Sequence, residues 1–139
     1  MKSYNGLVYP AMADAMGHMN VQHYVAAFDQ AMWQAVAALG YDTGWQRSRG
    51  QGWADVLHET HFMQELEVGA LFEVHTDVEA VGTSSLTLRH TMKNRQGDTV
   101  ATMKMKTVYF DLNARKSIPL PDDLRNSAQA HLLSGGEPA

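Results

Sequence analysis

The chain contains no cysteine. Disulfides and thiolate metal sites are therefore excluded, and the composition fits a reducing cytoplasm. A basic excess is also missing: 11 Lys and Arg stand against 15 Asp and Glu, a formal charge of -4. Nucleic-acid binders usually show the opposite balance. No apolar run approaches the roughly 18 residues that span a bilayer. The opening MKSYNGLVYP lacks the apolar centre of a signal peptide. There is no repeat, low-complexity tract or linker. No HExxH motif occurs, and His18 and His23 are poorly spaced for two ligands on one helical face. Neither a metal nor another cofactor is expected.

What is present is globular. Hydrophobic residues make up 45% of 139, enough for one core and too few for two. One domain is expected over residues 1–133, with 134–139 (SGGEPA) as a flexible tail. Between residues 20 and 40, Val21, Tyr24, Val25, Phe28, Met32, Ala35, Val36 and Leu39 recur at helical spacing. Asn20 suits the N-cap, and Gly40 the position just past the last turn. Alanines 26, 27, 31, 37 and 38 widen the apolar surface. The pattern predicts a helix covered on most sides.

After a polar, Gly-containing loop (41–52) the period becomes two. Residues 70–80, 86–95 and 100–110 alternate apolar with polar side chains, as half-buried strands do. Trp53–Phe62 reads as another strand and Leu7–Ala11 as a short first one. Turns are expected at 82–84 and 94–98, and a short helix over 122–133. Tight turns make neighbouring strands antiparallel. The fold class is α+β: an antiparallel sheet wrapped around one long central helix, the hot-dog architecture. On the wet face, Glu73 and Asp77 are expected to form a charge ladder with Arg89 and Lys93. A phosphate-binding strip of Arg89, Lys93, Lys104 and Lys106 is the rival reading.

The stretch DAMGHMN, residues 14–20, joins the first strand to the helix. It puts a carboxylate within a few residues of a helix N-terminus, whose unpaired N–H groups favour a developing negative charge. Acyl transfer uses that combination. Gly17 either admits a close approach or adopts positive φ. Asp14 as a turn former, Asn20 as a plain N-cap and Tyr24 as core are the bland alternatives.

The segment VYPAMADAMGHMNVQHYVAAFDQA resembles the hot-dog acyl-CoA thioesterases of the 4-hydroxybenzoyl-CoA thioesterase type, on Asp14, Gly17, His18, Asn20, Tyr24 and Phe28. LRHTMKNRQGDTVATMKMKTVYFD resembles the later hairpin and long strand of that family. The resemblance covers roughly residues 5–125. It implies a thioester hydrolase acting on a small acyl-CoA. Asp14 would be nucleophile or general base, and the Val21 backbone N–H would polarise the carbonyl, with Gly17, His18 and Asn20 completing the catalytic set. Tyr24, Glu59, His61 and Trp53 would bind substrate. It also implies a homodimer or homotetramer in the cytoplasm, without nucleic-acid or membrane partners. Many relatives carry a second acid or a Thr just upstream, where this chain has Met12 and Ala13. That apolar setting is expected to raise the Asp14 carboxyl.

The alternatives on the same scaffold are a hydratase or dehydratase, and an acyl-CoA-binding domain without turnover. GHMN, HY and ETH further resemble the thioesterases of carnitine and betaine breakdown. Those handle a quaternary ammonium, for which Tyr24, Trp33, Trp45 and Trp53 are a candidate aromatic box.

Overall fold

The computed structural model describes residues 1–133, so the expected tail at 134–139 lies outside the described residues. In chain order the elements are β1 (Lys2–Leu7), a 3₁₀ turn (Pro10–Met12), α1 (Val21–Ala38), α2 (Trp45–Ser48), β2 (Gln51–Phe62), β3 (Leu71–Val81), β4 (Ser85–Asn94), β5 (Thr99–Asp111), β6 (Lys116–Ser117) and α3 (Asp122–Ala130). The sheet order is β1-β3-β4-β5-β2, with β6 paired to β5.

The first strand is not at Leu7–Ala11. β1 ends at Leu7, and Pro10 opens the 3₁₀ turn. Proline has no N–H to give a ladder, and its fixed φ suits the first position of a helical turn. β1 itself is polar and carries no apolar alternation, so periodicity passes over it. It pairs antiparallel with β3, placing Gly6 opposite Phe72. A Cβ on Gly6 would run into the far end of the Phe72 ring, so a side chain there requires that ring to move.

α1 starts and stops where its sequence signals lie. The Asn20 Oδ1 accepts the Gln22 N–H at 3.1 Å, the expected cap. At the other end Gly40 takes φ +115. The Tyr41 N–H donates to Val36 O at 2.9 Å and the Gly40 N–H to Ala37 O at 3.0 Å, a Schellman closure. Tyr24, Ala27, Phe28, Ala31, Met32, Ala35, Val36 and Leu39 are buried. Coverage on most sides is not found: Val21 is 55% exposed, and Ala26, Gln30, Gln34, Ala37 and Ala38 are exposed as well. Alanine tolerates water as readily as a core, so its abundance widened the apparent stripe without marking burial. The loop expected at 41–52 contains α2, whose start is fixed by the Asp42 Oδ1 accepting the Gly44 N–H at 2.7 Å.

Two compact units divide the described chain. The first comprises Met1–Ala35, Glu59–Thr76 and His90–Met103. Its buried set includes Tyr24, Phe28, Met32, Phe72, Val74, Met92 and Val100. Burying each large side chain contributes roughly 1.5–3 kcal/mol. The buried polar groups are linked: the Ser3 and Thr76 hydroxyls lie 2.7 Å apart, and Thr76 Oγ1 lies 2.7 Å from His90 Nδ1. The second unit comprises Val36–His58, Asp77–Arg89 and the chain from Lys104 onward. It buries Leu39, Tyr41, Val78, Leu86, Leu88, Met105, Tyr109 and Leu124. The charge ladder differs from expectation. Arg89 meets Glu79 at 2.9 Å, while Glu73 takes Lys2 at 2.9 Å and His75 at 3.1 Å.

Candidate active site

Residues 13–19 reverse on themselves ahead of α1. Ala13 and Met19 form an antiparallel bridge, and His18 bridges to Glu67. The Asp14 N–H donates to His18 O at 3.0 Å, and the Met19 N–H to Leu66 O at 2.8 Å. Gly17 closes the reversal at φ +84, and its N–H donates to Asp14 O at 3.0 Å. A Cβ on Gly17 would meet open space. The glycine is therefore needed for its backbone conformation and not for a close approach.

This reversal fixes the Asp14 carboxylate. Its Oδ1 accepts the Met16 N–H at 2.9 Å, and its Oδ2 accepts the Asn20 Nδ2 at 3.2 Å. The turn-forming and capping readings of these residues are thus both realised. The carboxyl sits below its ordinary value of 3.8, held there first by the Met16 N–H, then by Asn20, with His18 adding to the effect. The expected upward shift does not occur. Asp14 is exposed, so desolvation is outweighed by donors that stabilise the anion. Asn20 thereby serves two groups at once, the carboxylate through Nδ2 and the helix through Oδ1. The Val21 N–H, one step on, donates to no group among the described residues.

Asp14 and Val21 line one cavity of about 410 Å³. Met16, His18, Met19 and Tyr24 line it from the same stretch of chain; Phe62, Met63, Gln64 and Glu65 complete it. Tyr24 and Phe62 meet edge-on at 5.2 Å. Burial pushes the Tyr24 hydroxyl up, and the Glu65 charge adds to the shift. The His18 Nε2 lies 3.1 Å from the Glu65 Oε2. Among the described residues, neither lysine nor arginine lines this cavity.

Five of the expected catalytic positions, Asp14, Gly17, His18, Asn20 and Val21, therefore come together, with Tyr24 beside them. Glu59 and His61 pair with each other at 3.3 Å on exposed strand surface and do not line the cavity. Trp53 packs edge-on against Tyr41 at 5.7 Å and Tyr109 at 5.1 Å, and it does not line the cavity either. Burial raises the Tyr109 hydroxyl to about 12, with Tyr41 contributing. The Arg49 guanidinium lies 4.0 Å over the Trp45 ring, so the chain's own cation covers that indole. Met16, Met19, Phe62, Met63, Gln64 and Glu65 are the lining residues the sequence reading missed. The last four carry only a positional signal: they are the end of β2 and the residues just after it.

The fold and this site define a class. The chain belongs to the thioesterase-like superfamily, which matches it over residues 8–127. The antiparallel sheet is the hot-dog sheet of that class. Among curated proteins it is 25% identical over 111 residues to an L-carnitine dehydrogenase/betainyl-CoA thioesterase of Agrobacterium fabrum. The match takes in 80% of this chain and 23% of that protein, so the chain spans about a quarter of that relative's length. Two solved structures share the fold. One is a hypothetical protein from Staphylococcus aureus in complex with CoA: TM-score 0.88, 15% identity, 96% of this chain and 87% of that one. The other is a 1,4-dihydroxy-2-naphthoyl-CoA thioesterase from Synechocystis: TM-score 0.80, 16% identity, 91% and 93% coverage. No helix among the described residues is long and apolar enough to cross a membrane.

Proposed function

We propose that this chain hydrolyses a small acyl-CoA to the free acid and coenzyme A, with residues 1–133 working as one hot-dog domain centred on α1. The observation that carries the proposal is the pairing, on one cavity, of an ionised Asp14 with the uncommitted Val21 N–H. The thioester carbonyl oxygen accepts from Val21, about 2.7–3.1 Å away. The depressed pKa keeps Asp14 anionic at neutral pH, ready either to take a proton from the attacking water or to attack the carbonyl carbon itself; in the second role an acyl–aspartyl anhydride forms. The C–S bond breaks, and coenzyme A leaves as a thiolate that takes up a proton. Water then cleaves the acyl–aspartyl anhydride, releasing the acid and restoring the carboxylate.

A single turnover in ¹⁸O-water with hydroxylamine trapping decides between the two roles. Label in Asp14 means an anhydride opened by water at the aspartyl carbon; where label enters the acid alone, capture of an acyl–aspartyl anhydride by hydroxylamine keeps Asp14 as nucleophile, and no capture makes it a general base. Absence of free thiol from a panel of acyl-CoAs overturns the proposal. Hydration of an enoyl-CoA would then favour the hydratase, and binding alone the non-catalytic domain.

A cationic acyl group is a second reading, favoured by the relative's betainyl-CoA activity and by the lining. Asp14 and Glu65 supply negative charge there, and Tyr24 with Phe62 supplies aromatic surface. Such surfaces attract cations by roughly 0.5–2 kcal/mol. Betainyl-CoA is expected to exceed 3,3-dimethylbutanoyl-CoA, its neutral isostere, in kcat/KM. Phe62→Leu should narrow that gap, and equal rates on the two substrates sink this reading. We further place the protein in the cytoplasm, as the lack of cysteine suggests, and as a homodimer or homotetramer. Support for self-association comes from β2, an edge strand with Val56, Leu57 and Phe62 exposed. Sedimentation giving a monomer would refute it.

A further inference from the structure

The cavity at Asp14 does not end the concave surface. A second cavity of about 370 Å³ shares Glu65 with it. A third, of about 420 Å³, shares Leu71, Asn94 and Arg95 with the second. The side chains of Gln64 and Asn94 also meet, at 3.5 Å, across the first junction. All three lie within the first compact unit. The result is a groove that starts at the carboxylate and passes Leu66, Gly69 and Ala70 before reaching the β4–β5 turn.

Charge along this groove is uneven. Among the described residues, Arg95 is the only lysine or arginine lining any of the three cavities. It makes no ion pair or side-chain hydrogen bond among the described residues, whereas Arg89 is committed to Glu79. The acids at the two ends already have partners: Glu65 meets His18, and Glu73 meets Lys2 and His75. The turn adds donors of its own. Its internal bonds are the Gly97 N–H to Asn94 O and the Asp98 N–H to Asn94 Oδ1. The N–H groups of Arg95 and Gln96 donate to nothing among the described residues. A guanidinium beside two open amides is a receptor for a phosphate oxygen.

We infer that Arg95 and its turn bind the phosphates of the coenzyme A moiety, with the uncharged pantetheine arm lying in the middle cavity. This rests on the acyl-CoA reading above. It also replaces the phosphate-binding strip on Arg89, Lys93, Lys104 and Lys106 weighed from sequence. Glu67 lines only the middle cavity, where the ligand carries no charge to repel.

The test compares an acyl-CoA with the matching acyl-pantetheine, and coenzyme A with pantetheine. In Arg95→Ala, the ratio of kcat/KM on acyl-CoA to that on acyl-pantetheine is expected to fall about tenfold, through KM, as loss of a charged hydrogen bond predicts. Arg95→Lys should recover part of the loss, because it keeps the charge and loses the fork. Calorimetry should show coenzyme A binding weakened about tenfold in Arg95→Ala, with the advantage weaker at high salt. A ratio that stays at the wild-type value, or equal losses on both substrates, overturns the inference. If wild type hydrolyses neither thioester, the proposed activity fails. The calorimetric comparison then still decides for or against Arg95.

Discussion

The two ends of α1 are finished in opposite ways. At the C-terminal end Gly40 and Tyr41 take up the carbonyls of Ala37 and Val36, and Tyr41 is buried. At the N-terminal end Asn20 caps the Gln22 N–H but leaves the Val21 N–H without an acceptor among the described residues, and an exposed carboxylate is tied in place beside it. One end is closed for stability and the other is held open at a fixed geometry. A helix can carry both because its termini are independent sets of unsatisfied groups.

The sharpest break of this contrast is Asp14→Asn. It keeps the size of the side chain and removes the charge. kcat should fall at least about 10²-fold with little change in KM or melting temperature. Near-wild-type turnover would return Asp14 to a turn former. Asn20→Ala comes next and strikes both uses of one side chain. A thermal melt should show about 1 kcal/mol lost with the cap, and kcat should drop about tenfold as the carboxylate loses a donor. A stability loss with kcat intact would separate the two roles. Gly40→Ala is the control at the closed end. Its positive φ predicts a loss on the order of 1 kcal/mol in denaturant unfolding, with kcat held. A large kcat effect there would show that the ends are coupled.

The smallest effect is on pH dependence. The Asp14 carboxyl is depressed in the folded chain. Its contribution to stability is therefore present above the unfolded carboxylate value and lost as pH falls through the folded one. Rate should follow the same sense, with no acid limb from Asp14 between neutrality and about pH 4. Asn20→Ala should move the limb upward, and an unmoved limb would remove Asn20 from the carboxylate's environment.

Much of this was legible in the chain. The period of two read out β3, β4 and β5, because one face of each is buried. Asn20 and Gly40 marked the limits of α1, because capping is local chemistry. The grouping of Asp14, Gly17, His18, Asn20 and Val21 was also readable, since those residues are neighbours in sequence. What could not be read depends on distant segments. Glu65 reaches His18, and Phe62 reaches Tyr24, only after β2 has been laid down. The direction of the Asp14 shift was misjudged because the apolar neighbours Met12 and Ala13 suggested burial. The donors at Met16 and Asn20 act through backbone reversal, which composition does not display. β1 was misplaced because its pairing rests on polar residues and a glycine.

That glycine limits how related chains can drift. Phe72 fills the space where any side chain at position 6 would have to stand. The two positions are therefore coupled: a side chain at position 6 requires the Phe72 ring to turn aside or a smaller residue to stand at 72. Paired substitution at these two sites is the mark to look for across relatives, and an isolated alanine at position 6 beside an intact phenylalanine would mean that the ring has turned aside or that β1 pairs differently there.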